Sequence, residues 1–124
     1  MKGSRSATCD LTLSLFVACL LAGCAQNPDI REGDDYTSGS TGKSPPDYVV
    51  CVQDELQGSP NSKTYTVKEN DTLKLFVEST DPNKATGLVE VHGSGSQHQF
   101  SAYQRDAWYD KGRLLDAALM CSHT

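Results

Sequence analysis

Thr72-Leu-Lys-Leu-Phe-Val-Glu78 decides the fold class of this chain. Leu73, Leu75 and Val77 alternate with Lys74 and Glu78, and a period of two residues sets the apolar side chains on one face of a β-strand. On the N-terminal side, Asn70-Asp71 forms a reversal and Lys63-Thr-Tyr-Thr-Val67 alternates as the preceding strand. On the C-terminal side, Asp81-Pro-Asn-Lys84 is a turn and Gly87-Leu-Val-Glu-Val91 is the next strand. Gly93-Ser-Gly-Ser96 breaks that strand, and Gln99-Phe-Ser-Ala-Tyr103 returns with Phe100 and Ala102 inward. Tyr48-Val-Val-Cys-Val52 is rich in β-formers, follows Pro45-Pro46, and is expected to be the first strand. After Arg105-Asp106 the period lengthens: Trp108, Leu114, Leu115, Ala118, Leu119 and Cys121 recur at spacings of three and four, which predicts a helix over Asp110 to Cys121. The expected fold is α+β, a small antiparallel β-meander with a C-terminal helix on one face. Trp108 and Tyr109, beside Tyr103, could present an aromatic binding surface; the commoner arrangement, and the expectation, is that they fill the seam between helix and sheet.

The whole chain has 124 residues with 11 basic and 16 acidic side chains, a net charge of -5. That length admits one domain, and an acidic balance argues against a general nucleic-acid binder, which needs a basic face. Five cysteines are many for such a chain, and their odd number leaves one thiol to be explained.

The N-terminus accounts for it. Lys2 and Arg5 precede Leu11-Thr-Leu-Ser-Leu-Phe-Val-Ala-Cys-Leu-Leu-Ala-Gly23, thirteen residues without a charge. This has the layout of a secretory signal peptide and is shorter than the roughly 20 apolar residues of a membrane-spanning helix. The run closes on Leu21-Ala22-Gly23-Cys24. These four residues resemble the lipobox of bacterial lipoproteins: Leu, a small residue, Gly or Ala, then Cys. The resemblance implies that Cys24 receives a diacylglycerol, that the chain is cut before it, and that the new amino terminus is acylated by a fatty acid such as palmitate. Three acyl chains make an essentially permanent anchor. In Gram-negative lipoproteins an Asp after the lipidated Cys favours retention in the inner membrane. Ala25 stands there, so the resemblance points to the outer membrane with the polypeptide facing the periplasm.

The chain therefore divides into a signal peptide at 1–23, a lipidated flexible tether at 24–47 and a small periplasmic domain at 48–124. The tether is assigned because Gly, Ser, Thr, Asp and Pro dominate Ala25 to Asp47. A random coil of that length spans roughly 25–30 Å. Cys9 and Cys19 leave with the signal peptide and Cys24 is acylated, so Cys51 and Cys121 remain as a disulfide pair in an oxidising compartment.

Motifs for chemistry are sparse. His92 and His98 flank Gly93-Ser-Gly-Ser96, but a nucleophile elbow needs Gly-x-Ser-x-Gly between strand and helix, and the first glycine is missing. The expectation is a polar hairpin with solvated histidines, no metal, no cofactor and no enzymatic activity. A second resemblance concerns the domain. Small lipoprotein inhibitors of c-type lysozyme pair an early cysteine with one near the C-terminus around an antiparallel core. Their inhibitory loop carries Ser-Gly, a small residue, a basic residue and Tyr, then Trp and Lys-Gly. This chain has Ser94-Gly95-Ser96, with Gln97 and His98 in place of the basic residue and Tyr, and Trp108 and Lys111-Gly112 at longer spacing. The resemblance implies a binding loop at Gly93, Ser94, Gly95, Ser96 and His98. The functional expectation is a lipid-anchored, non-enzymatic envelope protein whose partners are the membrane and an envelope protein. The alternative is an inhibitor or immunity-type binder of an envelope-degrading hydrolase such as lysozyme.

Overall fold

The computed structural model describes residues 28–57, 63–93 and 95–123. Cys24 and the expected signal peptide, and Ser94 of the expected binding loop, lie outside the described residues. The architecture is α+β: one five-stranded antiparallel sheet with helices on one face and a disulfide between Cys51 and Cys121. A 3-10 turn at Ile30–Glu32 precedes strand β1 (Tyr36–Thr41) and helix α1 (Pro45–Leu56). Then come β2 (Thr64–Glu69), β3 (Thr72–Val77), β4 (Gly87–His92) and β5 (His98–Gln104), the single turn α2 (Ala107–Asp110), and helix α3 (Arg113–His123). The strand order is β1-β5-β4-β3-β2, so β2 to β5 form the expected meander and α1 carries the chain from one edge of the sheet to the other.

Two expectations are corrected. Tyr48–Val52 is part of α1 and not a strand. Ser44 caps that helix, its Oγ accepting from the Asp47 amide at 3.3 Å, and Pro45 and Pro46 occupy the first helical positions, where a missing N–H costs nothing. The buried residues Tyr48, Val49, Val52 and Leu56 then fall on one helical stripe, which outweighs the β propensity of the valines. The second correction concerns the stretch expected as tether. Ile30 is buried, and Tyr36–Thr41 pairs with β5 along its whole length, from Tyr36 opposite Tyr103 to Thr41 opposite His98. Gly39 faces Phe100 across the ladder, and a Cβ there would stand 3.0 Å from the Phe100 ring. A strand of Ser, Gly and Thr contributes little apolar burial of its own; its neighbour Phe100 supplies the surface that holds it.

The core lies between the helices and one face of the sheet. Leu75, Val77, Val89, Val91, Phe100 and Ala102 meet Tyr48, Val52, Leu56, Leu114, Ala117 and Ala118. Each fully buried aliphatic or aromatic side chain of this kind stabilises the fold by about 1.5–3 kcal/mol. The opposite face is covered over part of its area, where Ile30 and Ala85 pack on Phe76 and Leu88. The final helix begins at Arg113, after Lys111 (φ 61°) and Gly112 (φ 71°) turn the backbone left-handed and end α2. This break detaches Trp108 from the helical stripe to which its spacing had assigned it.

Candidate functional site

The ladder registers give the sheet two ends. Val77 pairs with Gly87, Gly87 with Gln104, and Tyr36 with Tyr103, so one end gathers the 78–86 loop, the start of β1 and the Arg105–Gly112 segment. Thr41 pairs with His98, and His92 with Gln99, so the other end gathers the β4–β5 hairpin, the Asn70-Asp71 turn and the start of α1. Six residues of strand separate the two ends by about 20 Å.

Arg105 organises the first end. Its Nε donates to the Ala85 carbonyl at 2.8 Å, and its Nη2 donates to the carbonyls of Pro82, at 3.0 Å, and Pro28. The Ile30 amide donates to the same Pro82 carbonyl at 2.9 Å, so the incoming chain is fastened here. Gln104 joins the remaining pieces. Its Nε2 donates to Asp110 Oδ1 at 2.7 Å, while its Oε1 accepts from the Leu114 amide at 3.0 Å and satisfies a free donor at the start of α3. Asp110 Oδ1 also accepts from the Gly112 and Arg113 amides. Arg113 reaches across to the carbonyls of Glu55 and Gln57 at the end of α1.

Between these fastenings opens a groove of about 870 Å³, lined by Glu78, Gln104, Arg105, Asp106, Trp108, Tyr109 and Arg113 among others. Trp108 and Tyr109 stand on α2 at 78% and 81% exposure, edge to face with ring centroids 5.9 Å apart. The expected burial of these rings in the helix–sheet seam is thereby corrected: left-handed Asp106 (φ 51°) and Lys111 bracket α2 and turn both rings outward. Glu78, also left-handed at φ 75°, carries an Oε1 that is buried and meets no hydrogen-bond partner among the described residues.

At the hairpin end, Gly93 (φ 119°) and Gly95 (φ 86°) hold conformations that L side chains rarely adopt, and Gly95, Ser96 and Gln97 are exposed. His98 is not a loop-tip residue. It sits at 9% exposure on the helix-facing side of β5, opposite Thr41, and its Nδ1 has no partner among the described residues. Only His92, of the two flanking histidines, is solvated.

The less covered sheet face carries an ion-pair chain. Arg31 binds Asp29 at 2.7 Å and Glu90 at 3.3 Å, and Lys74 lies 3.5 Å from Glu90 and 3.4 Å from Glu69. The hydrogen bonds from Arg31 hold the Asp29 carboxyl at about 2, below its ordinary value, and the carboxylate in turn raises the Arg31 guanidinium. Beside Lys74 and Glu90, with His92 and Ser101, lies a polar depression of about 210 Å³. Among the described residues no group of three His, Cys, Asp or Glu side chains is placed to hold a metal ion, and no helix is long and apolar enough to cross a membrane.

Sequence reasoning missed Arg105 and ranked the exposed aromatic surface at Trp108 and Tyr109 below a buried seam. Arg105 carries no motif, because its three acceptors are backbone carbonyls distant in sequence. A signal for the aromatic turn was present in Lys111-Gly112, which ends a helix as readily as it weakens one. No family model, no curated protein and no solved structure matches this chain.

Proposed function

We propose that this chain is a lipid-anchored lipoprotein of the Gram-negative outer membrane, held through Cys24, with a small non-enzymatic domain facing the periplasm. The observation that carries the reading is the Leu21-Ala22-Gly23-Cys24 sequence at the end of thirteen uncharged residues, four residues before Pro28. The disulfide between Cys51 and Cys121 supports an oxidising compartment, since such bridges are rare in reducing ones. Ala25 in the position after Cys24 supports outer-membrane sorting. Cells fed an alkyne fatty acid label the protein at Cys24, and a Cys24→Ala variant that still takes up label refutes the anchor.

A second reading, inhibition of a hydrolase such as lysozyme, is favoured by one feature: Gly95, Ser96 and Gln97 project from the hairpin at the end of the sheet opposite Pro28. The anchored domain then presents that hairpin away from the membrane. An assay of lysozyme activity against the whole mature chain tests it, and full activity at micromolar protein removes it.

A further inference from the structure

The chain outside the described residues sets how far the domain stands from its anchor. From Cys24 to Pro28 is four residues, which fully extended reach at most about 14 Å. The diacylglycerol on Cys24 fixes that residue at the glycerol level, and the polar interface of one leaflet is about 5–8 Å thick. Pro28 is fastened by Arg105, and Ile30 is buried, so nothing beyond Pro28 can pay out as slack. The end of the sheet that holds Arg105 is therefore drawn against the headgroups. At this same end, three and four residues after Arg105, Trp108 and Tyr109 project into solvent from one wall of a groove that Arg105 also lines.

We propose that the Trp108–Tyr109 turn is a membrane dock: with the chain acylated at Cys24, both rings seat in the headgroup region of the leaflet that carries the acyl chains. The inference rests on the lipid anchor proposed above. Trp and Tyr suit this layer because an apolar ring carries a polar N–H or O–H that stays wet. The turn and its flanks carry equal charge of each sign, Asp106 and Asp110 against Lys111 and Arg113, and the exposed Asp34 and Asp35 at the same end add only negative charge, so the rings and not electrostatic attraction supply the affinity. The dock fixes the domain's orientation and directs the Gly93–Gln97 hairpin outward.

Trp108 is the chain's only tryptophan, so its emission reports this turn alone. The test takes the full chain, its N-terminal peptide weighed to establish acylation at Cys24, and reconstitutes it in phosphatidylethanolamine vesicles with and without phosphatidylglycerol. Part of the lipid carries bromine on the acyl chain near the glycerol. The expected result is blue-shifted emission, strong quenching by the brominated lipid, shielding from acrylamide, and the same behaviour in both lipid mixtures. An acylated protein whose Trp108 stays open to acrylamide and indifferent to bromine overturns the dock while leaving the anchor intact. Quenching confined to the anionic vesicles overturns the role of the rings. A Cys24 without acyl chains overturns the anchor and the dock with it. As a second measurement, the amides of 107–112 exchange more slowly on vesicles than in detergent, and Trp108→Ser/Tyr109→Ser abolishes the difference without changing far-UV circular dichroism. Protection that survives in that double variant contradicts the dock.

Discussion

The Tyr48 hydroxyl donates to the Ala118 carbonyl at 2.7 Å, a buried hydrogen bond that ties α1 to α3 across seventy residues of chain. The Tyr48 ring is fully buried, and its centroid lies 5.2 Å from that of Phe100 on β5. One side chain thus joins both helices and the sheet. Tyr48→Phe is expected to lower unfolding free energy by about 1 kcal/mol, the net value of such a bond, and Tyr48→Ala by about 3–5 kcal/mol through the cavity it leaves. Urea denaturation of the variants measures both.

The same residue gives the fold an alkaline limit. Burial pushes the Tyr48 phenol well above its ordinary 10.0. The unfolded chain therefore releases this proton first, and its contribution to stability is complete below pH 10 and lost as pH rises from there towards the folded-state value. Stability measured between pH 9 and pH 11 is expected to fall more steeply in the wild type than in Tyr48→Phe.

The disulfide closes the same helix pair, one turn further along each helix. Cys51 on α1 and Cys121 on α3 are 70 residues apart, and the chain-entropy model assigns about 4 kcal/mol to a loop of that length. Cys51→Ala/Cys121→Ala is expected to lose up to about that much, read by chemical denaturation. Peptide mapping under non-reducing conditions is expected to return one peptide joining the two cysteines.

Much of this fold is legible in the sequence, and the unread parts share a cause. Leu73, Leu75, Val77, Phe100 and Ala102 face the helices as their alternation implies, because β3 and β5 each carry an apolar residue at every second position of that face. In Tyr48–Val52 the β propensity of the valines masks the helix start at Ser44-Pro45-Pro46-Asp47 and the helical spacing of Tyr48, Val52 and Leu56. Tyr36–Thr41 has no signal of its own: its place in the sheet depends on Phe100, sixty residues downstream. The spacing of apolar residues continues through Lys111-Gly112 and places Trp108 on the buried stripe, while the left-handed backbone there turns the rings away. His98 adjoins the glycines and so reads as part of the loop, but the β5 register sends it inward.

Arg105 holds three carbonyls from two segments, Pro28 of the incoming chain and Pro82 and Ala85 of the 78–86 loop. Arg105→Met keeps the aliphatic stem and removes the donors. A loss of about 2–3 kcal/mol is expected, together with faster hydrogen exchange at the Ile30 amide, whose acceptor is the Pro82 carbonyl. Unchanged exchange at Ile30 would contradict the fastening role.

Asp29 responds at acid pH. The folded-state carboxyl lies at about 2 against an ordinary 3.8, so its contribution is present above 3.8 and disappears as pH falls towards 2. The pair is partly exposed, so Asp29→Asn is expected to cost only about 0.5–1 kcal/mol near neutral pH, loss of the helix-turn cap included, and to flatten the acid limb of the stability profile.

Membrane tethering depends on what Cys24 carries. The decisive measurement is the intact mass of the N-terminal peptide of the protein isolated from its own membrane. The expected peptide begins at Cys24 and bears a diacylglycerol and one amide-linked acyl chain. A peptide that runs uncut through Gly23 into Ala25, or one that begins at Cys24 with a free thiol, contradicts it.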